Sequence, residues 1–293
     1  MSLVVDHVTK EFKIRKGLSS RRLVAVDDVS FTLEPGKTIA LVGESGSGKS
    51  TIAKMIMRLE RPTTGTITVD GVSATAPGRR AQEYLHLVQM VYQDPFASLN
   101  PFHSIRHHIE RPLRLHGRAT SSAQAEPQVL DLLERVNLTP AELYADRNPH
   151  ELSGGQRQRV AIARAIAPGA KYLVADEPVS MLDVSIRLSV LNLLARLQRE
   201  DNLGVLYITH DLATARHFSD EIMVLYKGEV VEYGPSDEVI LNPQHDYTKL
   251  LLSAAPEPAN HGKLRDAVRR ELAEEADAAS GRASLIDVVT EEA

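Results

Sequence analysis

The chain has 293 residues, of which 43% are hydrophobic, and a formal net charge of −5 at pH 7. This size predicts one domain of roughly 200–250 residues with smaller additions, and the negative charge provides no overall attraction for nucleic acid or anionic membranes. The absence of cysteine excludes disulfides, thiolate zinc sites and cysteine-bound iron–sulfur clusters. Because the sequence shows neither an apolar run of ~18 residues nor an apolar secretion signal in residues 1–10, a cytosolic protein is expected.

The first third of the chain predicts strands that lead to one helix. Apolar segments predict strands at residues 3–5, 24–26 and 29–33, a buried strand at 38–42, a helix at 49–59, and a strand with a turn at 66–71. The basic stretch at residues 10–22 is interpreted as a solvated edge in preference to a polyanion site.

Residues 95–150 depart from this pattern because they are polar, contain several prolines and show helical spacing at 129–136. We therefore expect a helical insertion in the sheet domain. A histidine patch formed by His103, His107 and His108 is interpreted as a polar surface of this insertion in preference to a metal site, given its spacing.

The last part of the chain returns to alternating strands and helices. Strands are expected at residues 172–176 and 205–209, an amphipathic helix at 186–200, and a hairpin at 221–231 that turns at 227–228. This alternation predicts an α/β fold in which helices cover a sheet. Residues 257–293 are acidic and rich in alanine, which is typical of a partly helical or disordered tail.

A glycine-rich loop follows the strand predicted at 38–42. Residues 43–50 read G-E-S-G-S-G-K-S, which matches GxxxxGK[ST] between a buried strand and a helix. Glycines expose backbone N–H groups to phosphate oxygens, and the helix N-terminus adds the positive end of its dipole. The loop therefore predicts a P-loop nucleotide protein, with Lys49 on the β- and γ-phosphates and Ser50 on Mg²⁺. That class includes kinases, GTPases, helicases and transport motors, and the loop alone does not separate them. The expected ATP-binding residues here are Gly43, Ser45, Gly46, Ser47, Gly48, Lys49, Ser50 and Thr51.

Two acids end the apolar strand at residues 172–176. In a P-loop fold the carboxyl end of such a strand lies next to the phosphates, so charges at this position have a chemical use. Asp176 is predicted to hold Mg²⁺ through its water shell, and Glu177 is predicted to polarise the attacking water as a general base.

The segment L-S-G-G-Q, residues 152–156, leads into a predicted helix and so forms a second anion-binding helix start. This segment resembles the signature of ATP-binding cassette (ABC) proteins, and it lies between the phosphate loop and the acidic strand as in that family. The resemblance covers about residues 1–255. It implies that Ser153, Gly154, Gly155 and Gln156 bind the ATP of a partner subunit, so that two chains enclose two nucleotides.

Further positions resemble the ABC pattern. Gln93 is similar to the glutamine that ligates Mg²⁺ and senses the membrane partner, and Asp183 lies in a segment similar to the D-loop, in which Met181 replaces the usual alanine. His210 follows a buried strand and resembles the histidine that contacts the γ-phosphate, a catalytic role. Phe12 is expected to stack on the adenine.

Two other segments are similar to the ATPases of oligopeptide and dipeptide importers. They are Q-D-P-F-A-S-L-N-P at residues 93–101 and N-P-Q-H-D-Y-T at residues 242–248, where Asp246 replaces the usual proline. The resemblance implies a peripheral protein on the cytoplasmic face of the inner membrane, bound to two transmembrane permeases and indirectly served by a solute-binding protein. The same resemblance implies that the protein pairs with a sister ATPase or with a second copy of itself. Importers of nickel, glutathione or oligosaccharides are alternatives, because the ATPase does not touch the cargo.

Other kinds of ABC protein fit the sequence less well. A nucleic-acid- or ribosome-associated ABC ATPase usually has two cassettes, long coiled coils or zinc-binding cysteines, whereas this chain has one cassette, no cysteine and an acidic charge. No nucleic acid partner is therefore expected. The presence of both Glu177 and His210 also disfavours a regulatory cassette that does not hydrolyse ATP.

The predicted fold class is thus a P-loop NTPase of the ABC nucleotide-binding type, with an N-terminal antiparallel β subdomain and a helical insertion. Four parts are expected. They are an ATP-binding core at residues 1–94, a helical subdomain at 95–165, the completion of the core at 166–240, and an importer-type extension with an acidic tail at 241–293.

Overall fold

Two β-sheets and a set of helices form the part of the chain that this computed structural model describes, residues 1–16 and 19–254. Residues 1–252 make one compact unit. The strands are β1 (Leu3–Lys16), β2 (Ser19–Leu33), β3 (Thr38–Val42), β4 (Thr64–Val69), β5 (Val72–Ser73), β6 (Val88–Val91), β7 (Tyr172–Asp176), β8 (Gly204–Thr209), β9 (Glu221–Tyr226) and β10 (Glu229–Pro235). The helices are α1 (Lys49–Ile56), α2 (Arg79–Leu87), α3 (Pro95–Ser98), α4 (Ile105–Leu115), α5 (Ser122–Arg135), α6 (Ala141–Ala145), α7 (Gly154–Ile166), α8 (Val184–Glu200), α9 (Leu212–Phe218), α10 (Ser236–Leu241) and α11 (Asp246–Ala254).

The larger sheet has the strand order β10-β9-β3-β8-β7-β6, and all neighbours are parallel except the β9–β10 hairpin. Every residue of β3 and β8 is buried, which explains why these strands are continuous apolar runs. Val42 pairs with Thr209 and Asp176 pairs with Ile208, so β3, β7 and β8 end at the same edge. The residues that follow these strands are therefore brought together.

The two faces of this sheet contact different layers. In β3, Ile39 and Leu41 pack with the antiparallel strands and α1, whereas Ala40 and Val42 pack with the helical side. This alternation follows from the two-residue period of a strand. Burying a large apolar side chain contributes ~1.5–3 kcal/mol, so both layers stabilise the strand that leads into the glycine-rich loop.

The smaller sheet is antiparallel, with the strand order β2-β1-β4-β5. Its first two strands are longer than the predicted segments 3–5, 24–26 and 29–33, because β1 and β2 continue as a hairpin through the basic stretch. Hydrogen bonding between hairpin strands does not require apolar side chains, so the apolar pattern underestimates them. Lys10 is not solvated as expected, since its Nζ binds Glu60 Oε2 at 2.9 Å and the Arg61 carbonyl at 2.8 Å.

The predicted helical insertion is present as α3 to α6. Asp94, Ser104 and Ser121 begin three of these helices, and each accepts hydrogen bonds from backbone N–H groups of the first turn. The segment predicted at 129–136 lies in α5 and extends one residue past its end. His108 departs from the expected polar surface, because it is buried and its Nε2 lies 3.0 Å from the Asn100 carbonyl oxygen.

The remaining elements agree closely with their predictions. The turn at 227–228 has left-handed backbone at both positions, with φ of 50° and 94°. Among the described residues, no helix has the length and apolar character needed to cross a membrane. The tail predicted at 257–293 lies outside the described residues, and the four-part domain division stays a prediction.

Candidate nucleotide site

The loop between β3 and α1 is held firmly at both ends. Gly43 and Gly48 have φ values of 159° and 114°, and a Cβ on them would lie 2.2 Å from the Leu225 carbonyl oxygen and 2.4 Å from the Ala25 carbonyl oxygen, respectively. Gly46, at φ 83°, is exposed, and a Cβ on it would meet no other atom within 4 Å. The backbone is therefore packed against the Leu225 and Ala25 carbonyls on one side and is exposed at Gly46, as a phosphate-binding loop requires.

The Lys49 side chain folds back and binds carbonyl groups of this loop. It is 6% exposed, and its Nζ donates to the Gly43 and Glu44 carbonyl oxygens at 2.7 and 2.8 Å. Burial lowers the pKa of Lys49, although the charges of Glu177, Asp176 and Glu44 oppose this effect. The side chain thus holds a concentrated positive charge at the start of α1, where an anion is favoured.

Asp176 faces the same loop. Burial raises the pKa of Asp176 and the charge of Glu177 raises it further, while Lys49 and a hydrogen bond with the Ser50 side chain oppose the rise. The Asp176 carboxylate and the Ser50 hydroxyl are oxygen ligands of the kind that Mg²⁺ prefers. Within the described ranges no cluster of three or more histidine and acidic side chains forms a metal site. The Asp176 and Ser50 oxygens fit a Mg²⁺ ion that is held by few protein groups together with phosphates.

Glu177 lies between two polar side chains from neighbouring strand ends. Gln93 Nε2 donates to Glu177 Oε2 at 2.8 Å, and His210 Nδ1 lies 3.0 Å from Oε1. The backbone of Glu177 is left-handed, with φ of 44°, which is uncommon for a residue other than glycine. The Ser180 hydroxyl donates to the Glu177 carbonyl oxygen at 3.1 Å. The carboxylate is therefore oriented by contacts on both of its oxygens.

The signature segment forms the first turn of α7. Ser153 Oγ accepts from the Gln156 N–H at 3.3 Å, and Gln156 Oε1 accepts from the Ser153 N–H at 3.0 Å, which makes a capping box. Gly155 is buried, and a Cβ on it would lie 2.5 Å from Ile186 Cγ2, whereas one on Gly154 would lie 3.5 Å from Leu182. Ser153 is exposed. Ser153 is thus exposed on a turn that the capping box holds.

Two further predicted residues, Asp183 and Phe12, lie at the start of α8 and in β1. Asp183 is exposed at the start of α8, beside Met181, which is 57% exposed. Phe12 is partly buried in β1 opposite Leu23 of β2, the strand whose Ala25 carbonyl contacts the loop. Lys10 Nζ lies 4.8 Å from the centre of the Phe12 ring.

A groove of ≈ 1240 Å³ lies beside Gln93, between β6 and the helical insertion. Its lining includes Asp94, His103, Arg111, Arg164 and Asp176. Phe96 and Phe102 each precede a lining residue in the sequence, and they are 52% and 89% exposed. The groove reaches the site through Gln93 and Asp176, so an occupant could act on the Glu177 carboxylate.

Sequence reasoning missed one contact of the loop. Tyr247 lies in the segment singled out at residues 242–248, but the motif gives it no role at the loop. Its hydroxyl oxygen accepts from the Glu44 N–H at 3.0 Å. The sequence separation of 203 residues explains why no local pattern predicts this hydrogen bond.

The strand order, the glycine-rich loop and the acidic strand end define a P-loop nucleoside triphosphatase. The family model described as ABC transporter matches residues 26–180, and the model of the oligopeptide/dipeptide transporter C-terminal region matches residues 231–282. The chain therefore belongs to the ABC transporter family, as its motifs predict, and it is an ATPase of the type that powers transport. The predicted fold class is confirmed.

Relatives and solved structures extend this result. The chain is 44% identical to the oligopeptide transport ATP-binding protein AppF of Bacillus subtilis, over 90% of this chain and 80% of that protein. It is 45% identical to the dipeptide transport ATP-binding protein DppF of Haemophilus influenzae, over 84% of this chain and 76% of that protein. It is 46% identical to the glutathione import ATP-binding protein GsiA of Escherichia coli O157:H7, but it spans only 41% of that protein.

Among solved structures, the fold is similar to a dimeric post-hydrolysis state of the ATP-binding cassette MJ0796 bound to ADP and Pi. The TM-score is 0.70 at 31% identity, and the match covers 80% of this chain and 98% of that chain.

Proposed function

We propose that the chain is the ATP-binding subunit that powers import of oligopeptides or dipeptides, docked on permeases at the cytoplasmic face of the inner membrane. The observation that carries the ATPase role is the Glu177 carboxylate, held by Gln93 and His210 next to the Lys49 loop. The peptide cargo is supported by the match at residues 231–282 and by the names of AppF and DppF.

The loop residues bind the triphosphate of ATP. The N–H groups of residues 45–51 converge on the phosphates at the start of α1, and Lys49 turns from the Gly43 and Glu44 carbonyls toward the β- and γ-phosphates. Phe12 stacks on the adenine. Ser50, Asp176 and Gln93 would hold Mg²⁺, which when bound would supply positive charge to stabilise the transferred phosphoryl group.

Glu177 accepts the proton of the attacking water, since its carboxylate is already oriented by hydrogen-bonding groups on both oxygens. His210 leaves Oε1 to contact the γ-phosphate, and Gln93 links the Glu177 carboxylate to the groove beside it. The two oxygens of Glu177 thus connect the histidine with the glutamine at the groove.

The second half of each site comes from a partner subunit. The exposed Ser153 hydroxyl, Gly154, Gly155 and Gln156 present a helix start to the γ-phosphate of the partner's ATP, next to Asp183. The dimeric arrangement of MJ0796 supports this proposal. The partner is a sister ATPase or a second copy of this chain, and permease segments occupy the groove at Gln93. An extracytoplasmic solute-binding protein delivers the cargo.

Glutathione import is a second candidate, because GsiA is 46% identical to this chain over 87% of this chain's length. A strain that lacks the gene separates the two candidates. Uptake of a labelled tripeptide is expected to fall and to return with the parental gene but not with Lys49→Met. Lys54→Met, which changes an exposed lysine one turn further along α1, serves as the matched control. Loss of glutathione uptake alone would favour the second candidate, and unchanged uptake of both would contradict the importer proposal.

A further inference from the structure

The first residues of the C-terminal extension are attached to the hairpin next to the nucleotide site. Glu232 in β10 accepts the N–H of Gln244 at 2.8 Å through Oε1 and the N–H of His245 at 3.1 Å through Oε2. Burial would raise the pKa of Glu232, but the surrounding hydrogen-bond donors, including these two amides, outweigh burial and lower it. The start of α11 is thereby fixed to the sheet by an ionised carboxylate.

This attachment places Tyr247 behind the phosphate loop. The side chain is 6% exposed, and its ring centre lies 4.1 Å from that of Tyr226 at an interplanar angle of 33°. Its hydroxyl oxygen accepts from the Glu44 N–H at 3.0 Å. A residue outside the P-loop motif and 203 positions away therefore satisfies a backbone group of the loop.

The β9–β10 turn supports the same half of the loop. The Leu225 carbonyl oxygen leaves no room for a side chain at Gly43, and the Gly228 N–H donates to the Ser47 carbonyl oxygen at 2.9 Å. The Glu44 carbonyl accepts from Lys49 Nζ at 2.8 Å. Both peptide groups of Glu44 are thus engaged, its N–H by Tyr247 and its carbonyl by Lys49. The hydrogen bond from Glu44 to Tyr247 does not involve Lys49, so it does not require the lysine to stay at the loop carbonyls.

We propose that Tyr247 is a positioning residue that sets the affinity of the phosphate loop for ATP by fixing the Glu44 amide, so that the start of the C-terminal extension, residues 241–252, is coupled to nucleotide binding. The inference rests on the proposed role of Lys49 and its loop in binding the triphosphate. Loss of the hydroxyl leaves the Glu44 N–H without its acceptor and gives the first turn of the loop more conformations. ATP binding must then order that turn, and the free-energy cost of this ordering weakens binding.

The test is Tyr247→Phe in the full chain, since phenylalanine keeps the ring against Tyr226 and removes only the hydroxyl. ATP affinity is measured with a fluorescent ATP analogue, and the exchange rate of the Glu44 amide is measured by NMR. We expect Kd to rise about fivefold, equivalent to about 1 kcal/mol, with faster Glu44 exchange and kcat within about twofold of the parent. Tyr247→Leu, which also removes the ring contact, should weaken binding further.

Tyr233→Phe is the matched control. Tyr233 lies in β10, and its hydroxyl donates to Glu221 of β9 and not to the loop. It should leave the Kd and the Glu44 exchange rate at parental values. Parental affinity in Tyr247→Phe, equal effects in the two phenylalanine variants, or an unprotected Glu44 amide in the unaltered protein would each overturn the inference. If Lys49→Met binds ATP with parental affinity, the assignment of the loop itself has failed.

Discussion

His210 Nδ1 lies 3.0 Å from Glu177 Oε1, and Gln93 Nε2 lies 2.8 Å from the other oxygen of the same carboxylate. The three residues follow β8, β7 and β6, which are adjacent strands of one sheet. A single carboxylate therefore connects three strand ends. A displacement of Gln93 or of His210 therefore changes the surroundings of the same group.

Replacement of this carboxylate is expected to stop turnover and preserve binding. Glu177→Gln has the same shape and still accepts a hydrogen bond, but its amide cannot take a proton from water. We expect ATP hydrolysis to fall by about 10²–10⁴-fold, while ATP is still bound and holds the dimer closed. Phosphate release and size-exclusion chromatography with ATP measure the two effects. The matched control is Glu83→Gln on the exposed face of α2, which should hydrolyse ATP at the parental rate. Parental turnover in Glu177→Gln would reject the assignment of the base.

The two glycines of the signature turn should differ in their tolerance of a methyl group. Gly155→Ala places a Cβ 2.5 Å from Ile186 Cγ2, so the Ile186 side chain or the contact between α7 and α8 must shift. We expect a loss of about 1–3 kcal/mol in the free energy of unfolding, measured by urea denaturation. Gly154→Ala, with 3.5 Å to Leu182, is the matched control and should be neutral or slightly stabilising. Equal losses in the two variants would show that the Gly155–Ile186 contact is not the cause.

Acidification should destabilise the helical insertion through His108. Burial lowers the pKa of His108, and the nearby Arg164, His107 and His103 lower it further against the hydrogen bond with Asn100. The unfolded chain then binds the proton more readily than the folded chain does. The contribution of His108 to the free energy of unfolding is therefore fully present above the ordinary histidine pKa of 6.5. It is lost as the pH falls toward the lowered pKa. His116, whose pKa burial also lowers, adds to this loss.

His108→Gln should therefore reduce the difference in melting temperature between pH 7.5 and 5.5, since glutamine can still donate to the Asn100 carbonyl but does not titrate. His7→Gln is the control of opposite sign. The hydrogen bond to Asp28, followed by the charges of Asp28 and Asp6, raises the pKa of His7, so His7 favours folding at low pH. A pH dependence in His108→Gln as steep as that of the parent would contradict the role of His108.

The sequence predicted the parts of the site that depend on local chemistry. The loop at 43–50, the acids at 176–177 and the turn at 152–156 each combine an element boundary with the residue types that its chemistry needs. The contacts of Gln93 and His210 with Glu177 could not be predicted from spacing, because they depend on the order of strands in the sheet. The same reason applies to Tyr247, which reaches Glu44 from the opposite end of the chain.

The proposal that Ser153 acts on the ATP of a partner can be tested without losing the helix cap. Ser153→Asp retains an oxygen that accepts the Gln156 N–H, since aspartate is as good an N-cap residue as serine. Its negative charge repels a γ-phosphate, so we expect ATP binding to the chain's own loop at parental affinity but no ATP-dependent dimer and no turnover. Ser153→Asn, an equally good cap without the charge, is the matched control and should retain the dimer. Light scattering with Glu177→Gln in the background measures the dimer, because that variant holds ATP unhydrolysed. If Ser153→Asp dimerises with ATP as fully as Ser153→Asn, the signature turn does not face a phosphate in the assembly.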